Sequence, residues 1–280
     1  MAFQPVIPLS GIGGWKYLQA TYDKQLQTHA NSPQIRRDRD YMIEKFSQPI
    51  AVEDFLKDAR LVRVTMTAFD LSGEEWKKGF INKVLTEVSN PESTFLKRLN
   101  NSKYTAFAEA LKPQNGKITL SEDDLAAIAV RFEASSFELA VGNVDDNMRL
   151  ALNYKDEIKS LAAEGVSDMA IAYRILGDVP VSTLLKTALN LPSDMKGLSI
   201  ERQAEILQNS LKKTLGVSKL SDMASPEIVD KAIVRYHAMK SITEGSSMYT
   251  PASAALTLLG GSSYGYGNNA SQNLFLSIFL

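Results

Sequence analysis

The side chains able to do chemistry in this 280-residue chain are few, and most sit where a structural role explains them. Glu122, Asp123 and Asp124 form the densest acidic group, the raw material of general acid–base catalysis. They follow Ser121 at the head of an apolar-periodic run. That placement predicts a capped helix whose first turn the acids stabilise through the helix dipole. Asp145-Asp146 repeats the pattern. No partner carboxylate stands at a defined spacing, so no glycosidase-type pair is legible. His29 and His237 are the whole histidine complement, expected as a surface and an interface residue. The absence of cysteine excludes thiol catalysis, disulfides and thiolate metal sites. Gly11-Ile-Gly13-Gly14 has no strand before it and no βαβ unit after it, and Gly260–Gly267 is low-complexity chain. Neither a phosphate-cradling GxxxxGK[ST] loop nor a GxSxG elbow occurs. The reading is a non-enzymatic chain with no catalytic, cofactor-binding or metal-ligating residue and no cofactor.

The elements that carry these residues read as helices almost throughout. Val52, Phe55, Leu56, Ala59, Val62, Met66 and Phe69 predict one helix, and Ser72-Gly-Glu-Glu75 has the form of a capping box opening the next. Asn90-Pro91-Glu92 predicts another start, with proline at the first helical position. Asn115-Gly116 predicts a tight turn of positive φ. Further helices are expected from Ser121, after Asp145, to Gly177, after Asp178, from Ser199 to Gly216, and from Ser225-Pro226. Trp15, Trp76 and Tyr173 lie on helical stripes and are expected in the core. The stretches 64–85 and 169–191 share a helix–turn–helix plan, a weak internal repeat. The fold class is all-α: about nine to eleven helices, as one array of helical hairpins or as two similar lobes, with flexible uncharged ends.

Charge divides the chain more sharply than its net value of −1 implies. Residues 1–15 carry no charged side chain and residues 241–280 carry one, Glu244. The expected organisation is an N-terminal segment and helical arm at 1–49, a helical core at 50–240 with sub-lobes 50–120 and 121–240, and a nearly uncharged tail at 241–280 that ends in LFLSIFL. Such ends either dock on the chain's own core or order on meeting a partner. Helices over 15–46 have thin apolar stripes, which assigns them to an arm or to self-association. Ile35-Arg-Arg-Asp-Arg-Asp40 reads as a solvated, ion-paired face, with an oligomer seam as the alternative. The neutral charge balance argues against nucleic acid, and no apolar run reaches the ~20 residues of a membrane span. Without a secretory signal, synthesis in the cytoplasm is expected, and export would need a route that reads a flexible N-terminus.

Four segments, RFEASSFELAVGNVDDNMRLAL (131–152), YRILGDVPVSTLLKTALNLP (173–192), LSIERQAEIL (198–207) and EDFLKDARLVRVTMTAFDL (53–71), are similar in content and order to a bacterial family of helical proteins of unknown function encoded in flagellar gene clusters. The resemblance implies an all-helical domain in a flagellar setting, and it implies no activity and no site residues. The expectation is a protein that acts in flagellar assembly or structure through contacts with other subunits. A cytosolic scaffold or export chaperone for such subunits is the alternative, and a cell-wall hydrolase is the alternative from another class.

Overall fold

Polar caps decide where these helices begin. The computed structural model describes residues 3–163 and 165–247. The first helices are α1 (Gly11–Ala30) and α2 (Pro33–Phe46), then strand β1 (Ile50–Ala51) with α3 (Val52–Lys57) and α4 (Ala59–Thr67). Next come α5 (Lys78–Glu87), α6 (Phe95–Leu99), α7 (Ser102–Leu111) and strand β2 (Lys117–Ile118). The long α8 (Glu122–Val144) leads to α9 (Asp146–Leu161), α10 (Asp168–Gly177), α11 (Val179–Ala188), α12 (Ile200–Leu215) and α13 (Pro226–Ser247). Thirteen α-helices among the described residues make the fold all-α, with more and shorter helices than the nine to eleven expected.

The extra helices have local causes. Asp58 interrupts the stripe expected to be one helix over 52–69: its carboxylate accepts from Leu61 N at 2.9 Å and from the Tyr41 hydroxyl at 2.6 Å, and so caps α4 afresh. No capping box forms at Ser72, whose hydroxyl turns back to Thr67 Oγ1 at 3.1 Å, and α5 starts only at Lys78. Asn90 accepts from Glu92 N at 3.1 Å, and that local turn competes with the helix expected there. Asn115 (φ 51°) and Gly116 (φ 74°) do turn as expected. They close a minimal hairpin in which Gln114 N donates to Lys117 O at 2.8 Å and Lys117 N to Gln114 O at 3.0 Å, and β2 pairs antiparallel with β1, Ile50 against Ile118. The two stretches of the repeat also differ: a ten-residue connection joins α4 to α5, whereas Asp178 alone joins α10 to α11.

The chain divides after Ala238, and the first unit holds everything described below. Its apolar side chains gather in two clusters that share α8 as a spine. Leu125, Ile128, Ala129 and Phe132 of α8 join the first cluster, with α2 to α7. Phe137 and Val141 join the second, with α1, α9 to α12 and Val229, Ala232, Ile233 and Tyr236 of α13. We call these the first and second lobes. The expected 241–280 tail begins in the last turns of α13, and residues 248–280 lie outside the described residues.

Both N-terminal helices belong to these cores, which corrects the arm. Trp15 and Leu18 of α1 are fully buried, as are Met42 and, nearly, Phe46 of α2. A thin stripe suffices because a few large side chains fill it. The uncharged segment before α1 is tied down too: Gln25 accepts from Val6 N at 2.7 Å and donates to Val6 O at 3.1 Å. The charged run of α2 is not simply solvated. Asp38, its carboxylate 7% exposed, takes Arg60 and Arg63 of α4 at 2.8 Å each, and Arg39 reaches Glu133 of α8 at 2.7 Å. A Cβ on Gly14 would stand 1.8 Å from Leu9 O and 2.8 Å from Met148 Cε. Gly14→Ala is therefore expected to dislodge segment 3–10 and to lower stability by about 2–3 kcal/mol in a urea titration. An unchanged midpoint would show that this segment does not pack there.

Candidate functional site

Sequence reasoning singled out no site, yet the lobes enclose an acidic cleft. Its floor is α8, which supplies Ala134, Ser135 and Glu138. One wall is the first lobe: Ala68, Phe69 and Asp70 after α4, with Ser102, Lys103 and Ala106 of α7. The other wall is α9, with Asp156, Glu157 and Ser160. The space enclosed is about 480 Å³. A second cavity of about 430 Å³ shares Ser102, Lys103, Ala106 and Ser160 with it and continues between α6–α7 and α9–α10.

Four carboxyls meet two cations here, Glu138 and Glu157 half-buried and Asp70 and Asp156 exposed. Burial pushes the Glu138 carboxyl up to about 8, Asp156 and Asp70 push it the same way, and Lys103 and Arg149 oppose. Glu138 of α8 and Asp156 of α9 both line this cleft. At neutral pH Glu138 therefore keeps its proton. Burial also raises Asp156, against the pull of Lys159 and Lys155. Glu157 is raised by burial and eased by Lys103, whose ammonium lies 3.8 Å away. Tyr22 of α1 is raised by burial and then by Glu138 and Asp156. Asp70 and Arg131 stand exposed at the rim, and Arg131 lies 5.4 Å from the Phe69 ring. A carboxyl that holds its proton beside a carboxylate can give or take a proton near neutrality or take up a cation. Among the described residues no three His, Asp or Glu are grouped to hold a metal ion.

The residues the sequence brought forward lie elsewhere. Glu122, Asp123 and Asp124 occupy the first turn of α8, where Ser121 accepts from Asp124 N at 3.1 Å. Asp145 caps α9 by accepting from Asn147 N at 2.8 Å, and Asp146 follows in the first turn. Both histidines are buried, which corrects the surface assignment of His29. His29 Nε2 lies 3.0 Å from Ser136 Oγ, the spacing of a base and its nucleophile. The Ser136 hydroxyl, however, donates to Glu133 O at 3.0 Å, so Nε2 carries the proton of that contact and does not activate the serine. His237 packs 5.9 Å from the Trp15 ring, and burial lowers its pKa to about 4. Of the aromatics expected in the core, Trp15 is fully buried and Tyr173 half-buried, while Trp76 is 75% exposed. With α5 starting at Lys78, Trp76 falls in the preceding turn and not on a helical stripe. Gly11, Gly13 and Gly14 sit at the head of α1, and Gly260–Gly267 lies outside the described residues.

The cleft acids escape sequence reading because they come from separated places: after α4, mid-α8 and mid-α9. One local signal exists. Ala134, Glu138 and Val141 share a helix face, so Glu138 interrupts an otherwise apolar stripe.

An all-helical unit of two lobes around one long helix is the class of protein these features define. The chain belongs to the family described as "Protein of unknown function (DUF1217)", whose model matches residues 68–229. No curated protein matches the sequence. The fold is similar to that in the crystal structure of protein AGR_C_984 from Agrobacterium tumefaciens. That likeness has a TM-score of 0.65 and 21% identity, and covers 86% of this chain and 99% of that one. At such identity it is a likeness of fold.

Proposed function

We propose that the protein acts in bacterial flagellar assembly or structure through protein–protein contacts. The flagellar setting rests on the resemblance carried by segments 53–71, 131–152, 173–192 and 198–207. Contact as the mode of action rests on Trp76. This large amphipathic ring is 75% exposed, with the Lys77 ammonium 5.5 Å from it. Tryptophan is one of the residue types enriched among side chains that dominate binding energy, so an exposed one offers an anchor for a partner. Trp76→Ala is expected to leave the urea midpoint within about 0.5 kcal/mol of wild type. It is expected to reduce recovery of the tagged protein with purified hook–basal bodies by about tenfold or more. Equal recovery for variant and wild type would remove Trp76 from the contact. Secretion into the medium that depends on the flagellar export apparatus would separate an exported subunit from a cytosolic scaffold or chaperone.

The Glu138–Asp156 pair favours a second reading, a cell-wall hydrolase with Glu138 as proton donor. A glycosidase pair flanks the sugar from two sides of a cleft, whereas Glu138 and Asp156 stand on the adjacent helices α8 and α9. Binding therefore stays the first reading. Release of sugar from purified peptidoglycan by the wild type, abolished in Glu138→Gln, would reverse the order.

A further inference from the structure

We propose that a separate cavity, where the end of α1 and the head of α2 meet α8, binds an organic carboxylate through the α2 amides, Arg37 and His29. Its volume is about 460 Å³, within the range of small-molecule sites. Three features of the lining converge on an anion. Ser32 precedes α2 but gives it no side-chain cap, and no acid stands in the first turn. The N–H groups of Gln34 and Ile35 therefore find no acceptor among the described residues. They carry the positive end of the helix dipole into the cavity wall. Arg37 is the one charged side chain in the lining, and among the described residues it has no ion pair. The third feature is His29, only 6% exposed. Its Nε2 is spent on Ser136, 3.0 Å away, and its Nδ1 has no partner in the protein. A buried nitrogen left unpaired costs free energy that a ligand can recover. The remaining wall is apolar, from Phe3, Ile35, Leu139 and Ala140. The fitting ligand is thus an anion on an apolar body, and a single carboxylate matches a single guanidinium.

Binding is coupled to a proton. In the free protein the His29 proton sits on Nε2, so Nδ1 presents a lone pair. A carboxylate beside the ring draws a second proton from solvent onto Nδ1, which then donates to the ligand. Burial holds His29 below its ordinary value, and Glu133 of α8 pulls it the other way. Glu133 is itself engaged by Arg39 of α2 at 2.7 Å, so it stabilises the imidazolium only in part. From α2 the cavity also receives Arg37, which opposes that proton until a carboxylate neutralises it. The segment before α1 brings the Phe3 ring, 5.4 Å from that of His29, and no charge. Helix α9 meets α1 near Gly14, at its other end. The ligand therefore supplies the counter-charge that this corner of the fold lacks.

Because the chain has only two histidines, the ring signals of His29 can be followed by NMR in the full-length protein. Their loss in His29→Gln assigns them, and their proximity to Phe3 and Phe137 does so if that variant does not fold. Benzoate is the probe. It should shift the His29 signals saturably, leave those of His237 in place, and move the His29 titration to higher pH. Arg37→Ala removes an exposed side chain, should fold, and should weaken benzoate by about tenfold or more. Benzyl alcohol, which keeps the ring without the charge, and inorganic phosphate, which keeps charge without the ring, should each bind more weakly than benzoate by about tenfold or more. His29 signals that benzoate does not move, equal affinity in Arg37→Ala, or phosphate or the alcohol binding as tightly as benzoate would overturn the assignment.

Discussion

Trp15→Ala is expected to destabilise the protein by about 3–5 kcal/mol, the range for truncating a buried tryptophan. Trp15 of α1 is fully buried in the second lobe, and the ring of the α13 residue His237 lies 5.9 Å away. Truncation leaves a cavity in a close-packed cluster and loosens α1, which brings only Leu18 as its other fully buried large apolar side chain. The indole N–H has no hydrogen-bond partner. Trp15→Phe keeps most of the ring volume and removes that donor, so it should cost less than about 1.5 kcal/mol. Urea unfolding of the two variants separates the cases. Equal small losses would show that α1 is the loosely held arm its thin stripe implied.

The second large effect is a loss of stability on the alkaline side. The Glu138 carboxyl has an ordinary pKa of 4.5 and is raised to about 8 in the folded chain. Between these values the folded state binds a proton that the unfolded state has released, so stability falls as pH rises. The contribution is whole below the unfolded value and gone above the folded one. Each tenfold gain in proton affinity on folding is worth ~1.4 kcal/mol, and discounting for the half-open cleft leaves about 2–3 kcal/mol in all. His237 works in the opposite direction. Burial lowers it from 6.5 to about 4, so stability rises with pH across that window. The two slopes largely cancel until the histidine window ends, and above it only the carboxyl effect remains. Melting curves across pH should therefore be nearly level in mild acid and fall toward pH 8. Glu138→Gln should abolish the alkaline fall. A fall that persists in that variant would place its origin in another group.

Helix starts and stops with strong local chemistry were legible in the sequence. Ser121, Asp178 and Ser199 each cap as their position implies, and Gly216 ends α12 at φ 75°. Starts that depend on distant partners were not. Asp58 breaks a continuous apolar stripe because Tyr41, in another helix, donates to it. Within the stretch read as a capping box, Glu74 takes the Lys77 ammonium at 2.9 Å and the Tyr104 hydroxyl of α7, and no helix starts there. The same reasoning displaced Trp76, whose assignment to the core followed from a helix that begins two residues later. The cleft was invisible for a stronger reason. Asp70, Glu138 and Asp156 gain their chemistry from proximity across three elements, and nothing in their spacing encodes it. What was legible was a single anomaly, an acid on the apolar face of α8.

The claim that this protein works by contact in flagellar assembly is tested most directly by following the full-length tagged protein through cell fractionation, with motility scored in a strain lacking it. The account predicts that the protein is recovered with flagellar structures or with their exported subunits, and that motility falls in its absence. A protein found only as soluble monomer, in cells that swim normally without it, would contradict the account.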